Sequence, residues 1–343
     1  MNVQERILQN QLEAYIAEQP ETGGNSRIES LERIGGRGAN GVYAFTLAHD
    51  EAGETVTQKL VLKTYANSPE GVDRALKERH ALYHLRTARY PVPAVLTVET
   101  SPEALGSPFV IMQQVEGQTL GAALETADAR KRHGLIAQFV GLLVDLHARG
   151  PEALIRREMS PVSAHALINR EIHTMRGLAQ NREQREYLPV IDWLYERRKS
   201  ISTDTMVVNH RNYTLSNVIV GPSGAMSVVD WGWQIGDARF DLAWTLLDLE
   251  RAGMSDLRDD VLSEYERVTE APVADLAYFE VVAALRWLMD AVYEARRAGI
   301  LKPGQELLRE AMLPSVREAI AKIAAQTGVE LPAAEVLLAE DSR

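Results

Sequence analysis

Short alternations of apolar and polar residues fill the first third of the chain, and longer apolar stripes fill the rest. Between residues 27 and about 116, the runs SLERI, VYAFTLA, KLVLKTY, AVLTVE and PFVIMQQV are β-rich. HDEAGE joins the second and third as a hairpin turn. PEGVDRALKERHALYHLRT interrupts them with a helical period, on which Val72, Leu76, His80 and Tyr83 recur. Ahead of them, MNVQERILQNQLEAYIAEQ predicts an amphipathic helix over 2–19, with Ile7, Leu8, Leu12, Tyr15 and Ile16 on one side. From residue 118 the pattern is mostly helical. RKRHGLIAQFVGLLVDLHARG sets Ile136, Phe139, Val140, Leu143 and Leu146 on one wide stripe. FDLAWTLLDLERAG, LSEYERVT, APVADLAYFEVVAALRWLMDAVYEARRAG and ELLREAMLPSVREAIAKIAAQ read as later helices. One β-rich island, TMVVNH…SNVIVGPSGAMSVVDWGW, lies among them. The pattern predicts two units. Residues 1–116 form a small sheet unit with the leading helix, a connector lies near Glu116–Gly117, and residues 117–343 form a helical unit.

A length of 343 residues suits one large domain or two modest ones. With no cysteine, disulfides and thiolate metal sites are excluded, and a reducing cytoplasm is the expected location. No apolar run approaches membrane-spanning length, and the N-terminus lacks an apolar signal core. The formal net charge of −11 argues against a nucleic-acid partner. It suits a cationic small substrate, and equally it serves solubility alone. A monomer or a homodimer is expected.

Candidate chemistry is spread in order along the chain. GRGANG, residues 36–41, has the spacing G-x-G-x-x-G through Gly36, Gly38 and Gly41. A dinucleotide fingerprint opens a helix, whereas here a β-type run follows. A glycine loop between two strands is instead a flap over nucleotide phosphates, where a Cβ would obstruct the backbone's approach. Lys63 in LVLKTY faces away from Leu60 and Leu62. A solvated strand lysine and a phosphate-contacting lysine both satisfy that position. The second needs a carboxylate from the following helix, for which Glu78 is placed. Asn217 and Asp230 are thirteen residues apart across a hairpin turning at GPSG, which returns both to one end. An amide oxygen and a carboxylate, completed by phosphate oxygens, suit Mg²⁺. HRNYTLSN, residues 210–217, has the spacing H-x-D-x-x-x-x-N of a kinase catalytic loop, but its third position is Asn212. An amide cannot accept the proton of an attacking hydroxyl.

Together these segments resemble the aminoglycoside phosphotransferase and choline kinase-like family. FVIMQQVEGQTL resembles its hinge, LLVDLHARG its L-x-x-L-H helix end, and VVDWGWQIGDARFDLAWTL its I-D-W-x-x-x-x-G-D-P-x-x-D-L-A segment. The resemblance runs over roughly residues 25–320. It implies an α+β, two-lobe protein-kinase-like fold with a small antiparallel-sheet N-lobe and a larger helical C-lobe. It implies transfer of the terminal phosphate of ATP or GTP to a small-molecule hydroxyl. The backbone of Gln113 to Val115 would bind the nucleobase with Met112 behind it. Lys63, paired to Glu78, would bind phosphates, and Asn217 and Asp230 would hold Mg²⁺. His210 would fix the catalytic loop, and Asp241 would bond its backbone. Asp237 is expected either in the site or as a helix cap.

Family members carry Asp where Asn212 stands. Three accounts stay open: an unusual kinase, a pseudokinase that binds nucleotide without transferring phosphate, or an engineered substitution that traps a complex. The acceptor pocket has Asp204, Asp237, Asp248, Glu250 and Asp290 as candidates. An acidic lining favours an amine-bearing acceptor such as an aminoglycoside. The apolar surface of FDLAWTLLDLERAG suits a hydrophobic one such as a macrolide.

Overall fold

In the computed structural model, residues 3–19, 26–37, 40–51, 54–151, 154, 163–203, 206–299 and 306–331 are described. The chain forms two compact units, residues 1–126 with 215–233 and residues 127–214 with 234–343. This division differs from a single boundary at 116/117. β-pairing draws a later segment back to the first unit.

In the first unit, β1 (Arg27–Arg37), β2 (Asn40–Glu51), β3 (Glu54–Thr64), β4 (Val95–Glu99) and β5 (Phe109–Gln113) form an antiparallel sheet ordered β1-β2-β3-β5-β4. The hairpin expected at HDEAGE is there, with strands paired out to Glu51 and Glu54. The leading helix is α1 (Val3–Ala17). It packs Leu12 and Ile16 into the core, while Ile7 lies outside at 53% exposure. Its polar side chains also serve the sheet edge. Gln9 Nε2 donates to the Ile28 carbonyl at 2.9 Å, and Glu13 accepts the Ile28 N–H at 2.7 Å. Edge-strand groups that would otherwise be unpaired are thereby satisfied.

α2 (Pro69–Thr87) starts with Ser68 Oγ accepting the Gly71 N–H at 3.2 Å, and with proline at its first position. Its buried face is Gly71, Ala75, Glu78, Ala81, Leu82 and Leu85. Leu76 and Tyr83, two of the residues that recur at helical spacing, are exposed. The inner face uses small residues and a paired carboxylate, and a hydrophobicity pattern does not register those.

β6 (Gln118–Thr119), β8 (Val218–Val220) and β9 (Met226–Val228) form a second, three-stranded sheet of this unit. Gly117 makes the pairing possible. Its φ is +141°, and a Cβ there would lie 2.2 Å from the Val220 carbonyl oxygen. The short α3 (Leu120–Glu125) follows, capped by Thr119.

The second unit contains α4 (Ala129–Ala148), α5 (Ala164–Asn181), α6 (Leu188–Arg197), α7 (Arg239–Arg251), α8 (Ser255–Thr269), α9 (Leu276–Arg297) and α10 (Glu306–Thr327). The α4 stripe is buried as its period implies. α5 and α6 were not singled out in the sequence, yet they bury Ile168, Ile172, Val190 and Ile191 in the same core as α9. β7 (Val207–Asn209) and β10 (Gln234–Gly236) pair with each other, so the expected single β-rich island is two structures in two units. No described helix is long and apolar enough to cross a membrane. The architecture is α+β, an antiparallel-sheet N-terminal region followed by a helical C-terminal one.

Candidate active site

Lys63 sits near the end of β3, between Val42 of β2 and Val110 of β5. Central placement in a sheet gives its backbone little freedom. Its Nζ lies 2.8 Å from Glu78 of α2 and 2.5 Å from Oδ1 of Asp230. Glu78 is 2% exposed, which is tolerable because several donors converge on it. They are Lys63, the Tyr65 hydroxyl and the Trp231 N–H, the last at 3.3 Å. Burial by itself would lower the Lys63 pKa, but the carboxylates of Glu78 and Asp230 outweigh it and hold the ammonium above its ordinary value. Lys63 is therefore charged at neutral pH. Burial, and then Glu78, push the Tyr65 phenol far up, so it remains a donor.

These groups line a cavity of about 630 Å³ within the first unit. Gly36, Met112, Gln113, Val115, Asn217 and Asp230 line it too. The glycine segment is the β1–β2 hairpin, with Gly36 opposite Gly41. Gly38 lies outside the described residues. At Gly36 the need for glycine arises inside the hairpin: φ is +84°, and a Cβ would fall 1.9 Å from the Asn40 carbonyl oxygen. The Gly41 N–H donates to Thr64 Oγ1 at 2.9 Å, which ties the hairpin to β3 beside Lys63. Of the three hinge residues expected at a nucleobase, Gln113 and Gln114 donate their N–H groups to the carbonyls of Ala94 and Lys59. The Val115 N–H makes no hydrogen bond among the described residues, and it is the donor left for a base.

Asn217 and Asp230 stand at the open end of the β8–β9 hairpin. The Val229 N–H donates to the Asn217 carbonyl at 2.9 Å, one residue before Asp230. Asp230 has φ +65°, a sparsely populated conformation for a residue with a side chain, and such residues concentrate at functional sites. A half-exposed carboxylate and an amide oxygen facing one cavity suit Mg²⁺, which takes one or two protein oxygens and completes its shell with phosphate and water. No cluster of three or more His, Cys, Asp or Glu that could hold a metal occurs among the described residues.

His210 and Asn212, expected in a catalytic loop, belong to the second unit. His210 is fully buried, and its Nδ1 accepts the Asn212 N–H at 3.2 Å. Asp241 of α7 accepts the N–H groups of His210 at 2.6 Å and Arg211 at 2.8 Å. Arg211 has φ +76°. Burial favours the protonated form of Asp241, but its contact with His147 and the loop N–H it accepts outweigh burial and hold the pKa below the ordinary value. A depressed carboxylate pKa contributes stability above the unfolded value of about 3.9, and this is lost as pH falls through the folded value. Asp241→Asn offers one oxygen to two N–H donors. It should cost about 1–3 kcal/mol in urea unfolding at neutral pH. The gap from the unsubstituted protein should shrink below about pH 4; a gap that stays constant into acid would refute this account.

Two loop contacts had no clear sequence signal. Asn212 Oδ1 accepts the Trp244 indole N–H at 3.0 Å, and both ends of the Arg286 guanidinium donate to the Arg211 carbonyl at 3.1 Å. Trp244 and Arg286 read in sequence as ordinary residues of apolar helices. Tyr65 was detectable as the next same-face residue after Lys63.

The acids expected to draw an amine are otherwise engaged. Asp237 bonds Thr203 and Arg239 and accepts the Arg239 N–H at the start of α7, whose N-cap residue is Ala238. Glu250 pairs with Arg258 and Lys322, Asp290 with Arg182, and Asp248 with Arg251. Asp204 lies outside the described residues.

The model of the phosphotransferase enzyme family matches residues 30–279, from β1 into α9. Among solved structures, the choline kinase LicA from Streptococcus pneumoniae is 16% identical with TM-score 0.60, over 94% of this chain and 100% of that one. A thermostable mutant of aminoglycoside phosphotransferase APH(4)-Ia is 14% identical with TM-score 0.61, over 92% and 100%. A choline/ethanolamine kinase family protein from Mesorhizobium loti is 14% identical with TM-score 0.54, over 97% and 98%. Identities this low carry only the fold. A family match that runs through the lysine strand, the catalytic loop and the DWG turn carries more, and by it this chain belongs to the phosphotransferase enzyme family.

Proposed function

We propose that this protein moves the terminal phosphate of ATP or GTP to an oxygen of a small-molecule acceptor. The observation that carries the reading is Lys63, charged and held by Glu78, beside Asp230 in one cavity with the glycine hairpin and Asn217. One lysine held between two carboxylates suits a polyanion that arrives with a cation for Asp230 and Asn217. Relatives of the same fold support it: APH(4)-Ia has been seen in a ternary complex with ADP and hygromycin B, and LicA with AMP.

In this mechanism the Val115 N–H bonds the base, and Lys63 neutralises phosphate oxygens. Tyr65 and the Trp231 N–H keep Glu78 aimed at Lys63. Asn217 and Asp230 would hold Mg²⁺, which supplies charge compensation on the phosphates. The acceptor oxygen attacks the terminal phosphorus, the bond to the bridging oxygen breaks, and the nucleoside diphosphate leaves with that electron pair. Phosphoryl transfer is mostly positioning and charge stabilisation, and a general base adds only about 10²–10⁴-fold. Asn212 therefore slows transfer from a hydroxyl without abolishing it. A second reading, a nucleotide-binding protein without transfer, rests on Asn212 alone.

The test is a thermal-shift series with ATP, GTP and their diphosphates, followed by ADP or GDP release in the presence of aminoglycosides, macrolides, choline and simple alcohols. Stabilisation by triphosphate with acceptor-dependent release is the expected result. Stabilisation without release under any acceptor favours the silent reading.

A further inference from the structure

Four charged side chains line the cavity among the described residues: Lys63, Glu78, Asp230 and Arg74. The first three are fixed on one another, one cation between two carboxylates. That set alone is net negative and would not attract a polyanion. Arg74, in the second turn of α2, brings the four to neutrality. The carboxylates near it on the helix are committed elsewhere. Glu70, four residues before, bonds Ser68 at the helix start. Asp73 pairs with Lys77 at 2.8 Å. Glu78, four residues after, accepts from Lys63, Tyr65 and Trp231. Arg74 instead lies by the Tyr65 ring and lines the cavity.

The ring contact fixes where Arg74 stands. Its Cζ lies 5.8 Å from the Tyr65 centroid, and Lys63 Nζ lies 5.7 Å from the same centroid. The base-binding end of the cavity is at Gln113 to Val115. Lys63 pairs with Val110, three residues back from Gln113 along β5, roughly 10 Å at the rise of a strand. Tyr65 follows the end of β3, and its N–H donates to the Pro108 carbonyl at 2.9 Å, farther still from the base end. Arg74 therefore stands beyond Lys63, where the last phosphate of a nucleotide would lie. We propose that Arg74 binds the terminal phosphate and makes the site prefer a nucleoside triphosphate over the diphosphate and monophosphate. The inference rests on the phosphotransferase reading and adds a specificity residue to it. A guanidinium gives a phosphate two parallel N–H donors. The Tyr65 ring holds that fork in place.

The experiment measures binding of AMP, ADP and ATP, each with Mg²⁺, by titration calorimetry on the full chain. The parent is compared with Arg74→Gln, which removes the charge and keeps much of the stem, and with Arg74→Lys. In Arg74→Gln the affinity for ATP should fall about tenfold to a hundredfold, the scale of a hydrogen bond to a charged group. Affinity for AMP should stay the same, so the preference for ATP over AMP falls by that factor. Arg74→Lys should recover part of the loss, because it keeps the charge without the fork. Melting of the nucleotide-free variants separates a structural role from a binding one. An equal loss for all three nucleotides, with a lower melting temperature of the nucleotide-free protein, would mean that Arg74 only supports Tyr65, and overturns the proposal. Unchanged ATP affinity in Arg74→Gln overturns it as well, and leaves the phosphotransferase reading standing. If the parent binds none of the three, that reading itself falls, and this inference with it.

Discussion

Asn212→Asp should raise kcat for phosphate transfer to alcohols by roughly 10²–10⁴-fold, the usual contribution of a positioned general base. The change is nearly isosteric. Either aspartate oxygen can accept the Trp244 N–H, so the other takes the place now held by NH₂. Backbone contacts of the loop with Asp241, His210 and Arg286 do not involve this side chain's terminal atoms and should persist. The new carboxylate adds negative charge to the loop, a cost to be offset by neighbouring donors. Nucleotide affinity should move little, because Lys63, Glu78 and the glycine hairpin are unchanged. Steady-state turnover of both forms with a matched alcohol gives the answer. An Asn form already as fast as the Asp form would show that position 212 only orients the acceptor.

Removing the Asp230 carboxylate should have the second large effect. A ligand that binds only the folded state stabilises it by RT ln(1 + [L]/Kd), about 2.7 kcal/mol at a hundredfold excess over Kd. Nucleotide with Mg²⁺ should therefore raise the melting temperature well above nucleotide with chelator. In Asp230→Ala that difference should vanish. Lys63 also loses its 2.5 Å partner in this variant, but it keeps Glu78 at 2.8 Å and should still meet phosphate. Metal-independent nucleotide stabilisation should accordingly survive. If Asp230→Ala responds to Mg²⁺ as fully as the parent, the metal lies elsewhere and Asp230 serves only to hold Lys63.

Much of the candidate site can be read along the chain because kinase-type chemistry places its groups at characteristic distances within single elements. A lysine inside an alternating strand, a glycine segment followed by a strand and not a helix, and an Asn and Asp framing a GPSG hairpin are all local facts. The Lys63–Glu78 pair needed only the strand-then-helix order to be suggested. Elsewhere packing uses residues that a hydrophobic period ignores. α2 turns Ala75, Glu78 and Ala81 inward and leaves Leu76 and Tyr83 outside. α1 buries Leu12 and Ile16 and leaves Ile7 exposed.

By itself the amino-acid order determined the α+β class and most of the strands and helices, and it pointed to Lys63, Glu78, Asn217 and Asp230, which line one cavity. Period, turn residues and motif spacing act over a few residues, and chain order preserves them. Only the tertiary structure decided what those groups do to one another. It joined residues 215–233 to the sheet unit through β6–β8 pairing, a contact across about a hundred residues. It placed Asp230 on Lys63 as well as at the hairpin end, and it brought Arg182 to Asp290 and Lys322 to Glu250 across the helical unit. It also set the Trp244 N–H against Asn212, which fixes the direction of an amide whose two ends differ only in who donates. Ion pairs and hydrogen bonds of this kind depend on distances of about 3 Å, and no pattern along a chain encodes such distances between elements that meet only after folding.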